Sequence, residues 1–214
     1  MALISTSSAE LDYSPCTYGG GLIDCVFKEP TEALAAFRRN ENNTEIKQLY
    51  LNLMTDMTDD ILGQILDIVA SSASENLFHL ELKDLAGVTK IPQAVQRFPN
   101  LQSLYIGHMD GIENVPCGYI VSTKLSSLAL NYLSNLKVIE YGAFKGISIE
   151  YCILLIFPTS FGFLKFSGNF SNTTISILDS RLTKFDETVF KPLLTNSTAT
   201  LDIRGSKIVF MFKL

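Results

Sequence analysis

Residues 101–116, LQSLYIGHMDGIENVP, decide the fold of this chain. Counted from Leu101, the Leu, Ile and Val residues occupy positions 1, 4, 6, 12 and 15, a spacing that fits neither an amphipathic helix nor an alternating strand. The same five positions are apolar 24 residues earlier and 24 residues later. The earlier copy contains Leu77, Leu80, Leu82, Val88 and Ile91, and the later copy contains Leu125, Leu128, Leu130, Leu136 and Ile139. The chain therefore contains an internal repeat.

Less regular copies extend this repeat in both directions. One begins at Ile46, and others involve residues 149–154, 175–193 and 201–203. Positions 4 and 6 are two residues apart, so both side chains point to the same side of a short strand, whereas positions 12 and 15 lie on a return segment. One copy cannot bury its apolar residues alone. Stacked copies share a continuous core, and we expect their strands to form a parallel sheet.

Three segments resemble leucine-rich-repeat proteins: LFHLELKDLAGVTKIP (77–92), LQSLYIGHMDGIENVP (101–116) and LSSLALNYLSNLKVIEYGAFKGI (125–147). The resemblance implies an α/β solenoid, a horseshoe of about six to seven irregular coils with a parallel sheet on its concave side. In that family an asparagine in the turn after the strand hydrogen-bonds neighbouring backbone groups. Only Asn135 is near that position here, so we expect less regular coils.

The segment PCTYGGGLIDC (15–25) predicts a small hairpin closed by a disulfide between Cys16 and Cys25, because its three glycines tolerate the backbone of a tight turn. Leucine-rich-repeat ectodomains often have a cysteine-containing cap that looks like this one. The predicted organisation is a disordered N-terminus or signal-peptide remnant at 1–14, the cap at 15–45 and the repeat domain at 46–214.

Two helices and two free thiols are also predicted. Residues 32–38 indicate a short helix, and Thr58 is placed to cap another that begins at Asp59. Cys117 and Cys152 belong to different copies and to different sides of the predicted coil. We expect both to be free thiols, because a disulfide needs Cα atoms within about 7 Å.

The amino-acid composition argues against several classes of function. The chain has 214 residues, a formal net charge of −5 and two histidines. The negative charge argues against general nucleic-acid binding, which needs a basic surface, and two histidines are too few for a multi-histidine metal site. The most apolar window, 151–166, is shorter than the roughly 18–20 residues of a membrane span and contains Pro158. We expect no nucleic-acid partner, no transmembrane segment, no metal and no cofactor.

Two features favour a secreted, extracellular protein. Residues 5–9, STSSA, look like the small-residue end of a signal peptide, so we expect a signal that is incomplete in this chain. Asn-x-Ser/Thr sequons without a blocking proline predict N-glycosylation. The predicted sites are Asn42, Asn169, Asn172 and Asn196. The alternative is that these asparagines are unmodified loop residues.

Positions 3, 5 and 7 of each copy point away from the predicted core. They combine aromatic and hydrogen-bonding side chains, which suit protein recognition. The predicted partner-binding residues are Tyr50, His79, Glu81, Lys83, Ser103, Tyr105, Ser127, Asn131 and Tyr151. Tyr50 and Tyr105 are the predicted anchors, and the alternative for each residue is an ordinary solvated sheet surface.

The sequence predicts a binding module and not an enzyme. Neither His79 nor His108 belongs to an H-E-x-x-H motif, and the chain has no G-x-S-x-G elbow. The short cap and irregular coils resemble the arthropod family that includes the non-catalytic subunit of oplophorus-luciferin 2-monooxygenase, the shrimp luciferase. That resemblance implies association with a separate catalytic subunit, which this chain would stabilise. Two alternatives stay open: a hydrolase-type enzyme using His79 or His108, and an intracellular repeat adaptor.

Overall fold

The computed structural model describes residues 11–116 and 124–136 throughout and, further along the chain, the backbone of six short strands. The helical elements are α1 (Pro30–Arg39), α2 (Asp59–Ala73) and a 3₁₀ turn, η1 (Gln93–Arg97). The strands are β1 (Thr17–Gly19), β2 (Leu22–Val26), β3 (Gln48–Asn52), β4 (His79–Lys83), β5 (Ser103–Gly107), β6 (Asn114–Val115), β7 (Ser127–Asn131), β8 (Val138–Ile139), β9 (Tyr151–Leu155), β10 (Thr174–Ser176), β11 (Lys184–Phe185), β12 (Thr200–Asp202) and β13 (Val209–Phe210).

The main sheet follows the order of the chain. Its strands are arranged β1-β2-β3-β4-β5-β7-β9-β10-β12, with β1 and β2 antiparallel and the other neighbours parallel. Leu80 of β4 lies opposite Leu104 of β5, which lies opposite Leu128 of β7, so the 24-residue spacing of the sequence is the register of these strands. The return segments also pair, through β6 and β8. The predicted α/β class is confirmed, with a mostly parallel sheet.

The predicted apolar positions form the core on one side of this sheet. Leu104 and Ile106, at positions 4 and 6 of the copy that begins at Leu101, are 1% and 0% exposed, and every predicted position of that copy and of the copy before it is buried. The apolar side of α2 belongs to the same cluster through Leu62, Ile65 and Val69. Each fully buried Leu or Ile contributes roughly 1.5–3 kcal/mol relative to an exposed one.

Position 9 is a sixth buried position that the sequence pattern did not include. Its occupants are Met54, Leu85, Met109 and Leu133, all at most 1% exposed. The carbonyl oxygen of each accepts a hydrogen bond, 3.0–3.2 Å long, from the N–H of position 12, which closes a tight turn in every copy. This is the region in which leucine-rich-repeat proteins have asparagine. Here apolar side chains pack one above another, and the turn is closed by its own backbone.

Position 8 has a left-handed backbone in each described copy. The residues are Phe27, Leu53, Asp84, His108 and Tyr132, with φ between 52° and 56°. Non-glycine residues pay of order 1–3 kcal/mol for this conformation. Backbone hydrogen bonds to the next strand offset this conformational cost. The N–H of His108 donates to Asn131 O at 2.9 Å, and the N–H of Asp84 donates to Gly107 O at 3.0 Å. Phe27 and Leu53 donate in the same way, so these four residues extend the hydrogen bonding between neighbouring strands by one residue.

The predicted hairpin and its disulfide are present at the N-terminal end of the sheet. The Cys16–Cys25 disulfide joins the start of β1 to β2, and Gly20 and Gly21 form the turn with positive φ. β2 then pairs in parallel with β3, and its inward residues Ile23 and Cys25 are fully buried. The cap therefore supplies the first strand of the parallel sheet, in the same register as the repeats.

Both predicted helices are present. The first is longer than expected, because Pro30 at its N-terminus fixes a helical φ and extends it to Pro30–Arg39. The hydroxyl of Thr58 caps α2 by accepting a hydrogen bond from Ile61 N at 3.3 Å, as expected. Within the part of the chain that the structure describes, no helix has the length and apolar content to cross a membrane.

Candidate functional site: the outer face of the parallel sheet

The side chains at positions 3, 5 and 7 lie on the sheet face opposite the core, which we call the outer face. They form three rows across the strands. The position-3 row contains Gln48, His79, Ser103 and Ser127; the position-5 row contains Asp24, Tyr50, Glu81, Tyr105 and Ala129; the position-7 row contains Asn52, Lys83, Gly107 and Asn131. Parallel pairing therefore brings residues that are 24 to 31 positions apart in the sequence to neighbouring strands, about 4.8 Å apart.

Tyr50 is the centre of the best-defined cluster on this face. Its hydroxyl donates to Gln48 Oε1 at 3.2 Å, and its ring packs against the ring of His79 with centroids 4.8 Å apart. Burial raises the pKa of the Tyr50 hydroxyl, and the carboxylates of Glu81 and Asp24 raise it further. The two carboxylates lie on the strands that flank Tyr50, so the aromatic ring stands between two negative charges.

Four polar atoms of the outer face are buried and have no hydrogen-bond partner among the described residues. They are Asp24 Oδ1, Asn52 Oδ1, His79 Nε2 and Asn131 Oδ1. Buried polar atoms are nearly always hydrogen-bonded in native proteins, so four unpaired atoms distinguish this face from an ordinary solvated sheet surface. Within the same described part, neither Asp24 nor Glu81 forms an ion pair.

Other polar groups of the cluster are already engaged. Asn52 Nδ2 donates to Glu81 Oε1 at 3.0 Å, and the Lys83 ammonium lies 3.9 Å from a carboxylate oxygen of Asp84. Burial lowers the pKa of His79, although Glu81 opposes the shift, so the imidazole is neutral at pH 7. The charge at this end of the outer face is therefore negative.

Tyr105, the second predicted anchor, lies flat along its own strand. A Cβ atom at Gly107 would lie only 2.7 Å from Cε1 and 2.9 Å from the hydroxyl oxygen of Tyr105, so the ring covers the bare backbone of the glycine. Asn131, the neighbour of Gly107 on β7, is only 7% exposed. The structural role of Gly107 was not predicted, because it depends on a side-chain rotamer and not on the apolar spacing.

The remaining predicted contact residues are less informative. Ser103 and Ser127 are half-buried in the position-3 row. Tyr151 lies in the same row by its backbone pairing with Ser127, and its side chain is outside the described residues.

The two histidines lie in different surroundings. His108 is exposed, stacks on Tyr132 with ring centroids 4.4 Å apart, and has Nδ1 3.8 Å from Asp84 Oδ1. Across residues 11–116 and 124–136, neither histidine forms a hydrogen bond with a Ser, Thr or Cys side chain that could serve as a nucleophile, and no three His, Cys, Asp or Glu residues are grouped as metal ligands. Among these described residues, no contact of either histidine favours the hydrolase alternative.

Of the four predicted glycosylation sites, the structure describes one. Asn42 is exposed in the turn that follows α1. Asn169, Asn172 and Asn196 lie outside the described residues, as does Cys117 and the side chain of Cys152.

Comparisons with protein-family models and with curated proteins find no match for this chain.

Proposed function

We propose that this chain is a non-catalytic leucine-rich-repeat solenoid that binds a protein partner through its outer sheet face. In this proposal the parallel sheet is the concave side of a horseshoe of about six to seven coils, and the disulfide hairpin closes its N-terminal end. The support is the match between the 24-residue apolar spacing and the register of consecutive parallel strands.

The observation that most favours binding is the chemistry around Tyr50. Asp24 and Glu81 lie on either side of its ring without an ion-pair partner in the described part of the chain, and Asp24 Oδ1 is buried without a hydrogen bond. A partner that inserts a Lys or Arg side chain would satisfy both carboxylates and contact the aromatic ring. Cation–π contact alone is worth about 0.5–2 kcal/mol, depending on desolvation. The partner surface is therefore a basic one.

Photo-crosslinking tests the location of the binding surface. A photoreactive phenylalanine at position 50 or 127 should form a covalent adduct with the partner in the native secretion, whereas the same residue at position 86, which is exposed on a return segment, should not. Adducts from position 86 alone would contradict the assignment of the outer face.

Crosslinking identifies the partner. Equilibrium binding to that partner, purified without the crosslink, then tests the contribution of the two carboxylates. We expect Asp24→Asn and Glu81→Gln each to weaken binding about 10-fold, which corresponds to about 1.4 kcal/mol, and the loss should shrink at high salt. Asp56→Asn removes a carboxylate from an exposed return-segment position and is the matched control. Equal affinities for all three variants would refute the proposed cation site.

Secretion and association with a catalytic subunit extend the proposal. The Cys16–Cys25 disulfide suits an oxidising compartment, which favours an extracellular protein over the intracellular adaptor. Association with a separate catalytic chain follows from the sequence resemblance to the luciferase subunit family. Co-expression tests it: a stabilised catalytic chain should have a longer active half-life with this protein than with the Tyr50→Ala variant, and equal half-lives would argue against the association.

A further inference from the structure

We infer that Asn42 bears an N-linked glycan whose innermost N-acetylglucosamine lies in a groove between residues 41–44 and α2. This inference rests on the proposed secretory route and concerns a surface separate from the outer face. The groove would hold a sugar that is attached covalently to Asn42, a residue of its own lining.

The sequon Asn42-Asn43-Thr44 lies in a turn that exposes its acceptor asparagine. Asn43 is only 5% exposed: its Nδ2 donates to the hydroxyl oxygen of Tyr13 at 3.1 Å, and its Oδ1 accepts from Glu45 N at 2.9 Å. Asn42 and Thr44, the two residues that define a sequon, are both exposed. The middle residue therefore anchors the turn and leaves the acceptor asparagine accessible.

The groove beside this turn is large enough for a small ligand. Its volume is about 470 Å³, within the range of small-ligand sites. The lining residues are Glu41, Asn42, Thr44, Asp67, Ile68, Ser71 and Ser72. Asn42 thus belongs both to the sequon and to the wall of the groove, so a sugar attached to its Nδ2 begins at the groove.

The lining of the groove combines an apolar contact with hydrogen-bonding groups, as a sugar ring requires. The half-buried Ile68 offers an apolar contact for the C–H side of the ring. Ser72 Oγ donates to Ile68 O at 3.1 Å, so its lone pairs can accept hydrogen bonds from sugar hydroxyls. Arg97 Nη1 lies 2.8 Å from Asp67 Oδ1 and neutralises that carboxylate, so of the two acidic residues in the lining only the exposed Glu41 has no ion pair among the described residues.

The attachment chemistry is a group transfer from a lipid pyrophosphate-linked oligosaccharide. Asn42 Nδ2 attacks the anomeric carbon, a C–N bond forms, and the bond from that carbon to the pyrophosphate oxygen breaks. The amide loses one proton to a base, and the lipid pyrophosphate leaves. The bound sugar then connects the turn to α2, and the segment that follows α2 already contacts the turn through the Asn76 Nδ2 to Thr44 O hydrogen bond of 2.7 Å.

Selective deglycosylation tests the inference. The protein is secreted from a host that adds high-mannose glycans, in a background with Asn169→Gln, Asn172→Gln and Asn196→Gln, so that Asn42 is the remaining sequon asparagine. Endoglycosidase H leaves one N-acetylglucosamine, whereas peptide N-glycosidase F removes the whole glycan and converts Asn42 to aspartate. We expect the trimmed and intact forms to melt together and the fully deglycosylated form to melt about 2–4 °C lower.

Variants separate groove packing from other effects. Ser72→Arg fills the groove and should abolish the difference between the two enzyme treatments, while Ala86→Arg, at an exposed position outside the groove, should keep it. Asn42→Asp should reproduce the melting temperature of the fully deglycosylated protein. Glycopeptide mapping of the wild-type chain measures occupancy even if the background variant fails to fold.

Two results would overturn the inference: an unmodified Asn42 in secreted protein, or equal melting temperatures after the two treatments. Either outcome leaves partner binding at the outer face intact. Conversely, a failure of the Asp24 and Glu81 binding tests would not alter the melting behaviour, so the two proposals fail separately.

Discussion

Replacement of Gly111 by alanine tests the packing between consecutive copies. Gly111 lies at position 11, in the tight turn between positions 9 and 12. A Cβ atom there would lie 3.0 Å from the carbonyl carbon of Val88, closer still to its oxygen, and 3.1 Å from Thr89 Cα. All three atoms are backbone atoms of the preceding copy, so no side chain can rotate away to make room.

The expected change in the free energy of unfolding follows from these contacts. Carbon atoms in van der Waals contact settle at about 3.5–4.0 Å, so the turn must move by at least about 0.5 Å. Overpacking of this kind costs about 1–3 kcal/mol. Restricting the unfolded chain offsets about 0.4–1 kcal/mol. We expect Gly111→Ala to lower the free energy of unfolding by about 1–2 kcal/mol and the melting temperature by about 3–6 °C.

Gly63 provides the matched control, since it lies within α2 and an added Cβ atom would meet nothing within 4 Å. Gly63→Ala should raise the free energy of unfolding by about 0.5–1 kcal/mol, because alanine favours the helix. The assay is urea unfolding followed by far-ultraviolet circular dichroism, without reductant and with linear extrapolation. If Gly111→Ala unfolds at the same urea concentration as Gly63→Ala, the close approach of the copies is wrong.

Three further predictions concern the cap and two titrating groups. Replacing Cys16 and Cys25 together by alanine should lower the free energy of unfolding by about 2–3 kcal/mol in urea melts, because the closed loop is short; reductant should then leave the variant unchanged. His79 has a folded pKa below its ordinary value of 6.5, so the unfolded chain binds the proton first and stability should fall as pH drops below 6.5. His79→Phe should flatten urea midpoints between pH 7.5 and 5.5, and an unchanged slope would contradict the burial of this imidazole. Burial favours protonation of Asp59, but hydrogen bonds from the Thr89 side chain and backbone and from the backbone of Lys90 outweigh it and lower its pKa below 3.8. Its stabilisation is therefore present above pH 3.8 and lost as pH falls through the folded pKa; Asp59→Asn should remove this acid-dependent loss, and an identical acid midpoint would count against it.

The candidate site was predictable in outline and not in detail. Alternation along each strand placed Tyr50, His79 and Glu81 on the side away from the core, since that depends only on the period of a strand. The inclusion of Asp24 was missed, because β2 was interpreted as part of a cap and its parallel pairing with β3 was not foreseen. A comparison of Ile23 and Cys25 with the later copies would have shown the same spacing.

The sequence by itself determined the apolar positions, the parallel order of the strands, the disulfide hairpin and the start of α2 at Asp59. Each follows from local chemistry or from a period that repeats along the chain. Tertiary structure showed that position 9 is buried, although Leu85, Met109 and Leu133 already repeat there at the 24-residue apolar spacing. It also decided that Tyr105 folds over Gly107 and that Asn43 anchors the turn. The role of Asn43 depends on Tyr13, 30 residues away in the sequence, and the placement of Tyr105 depends on a side-chain rotamer, so the apolar spacing predicts neither.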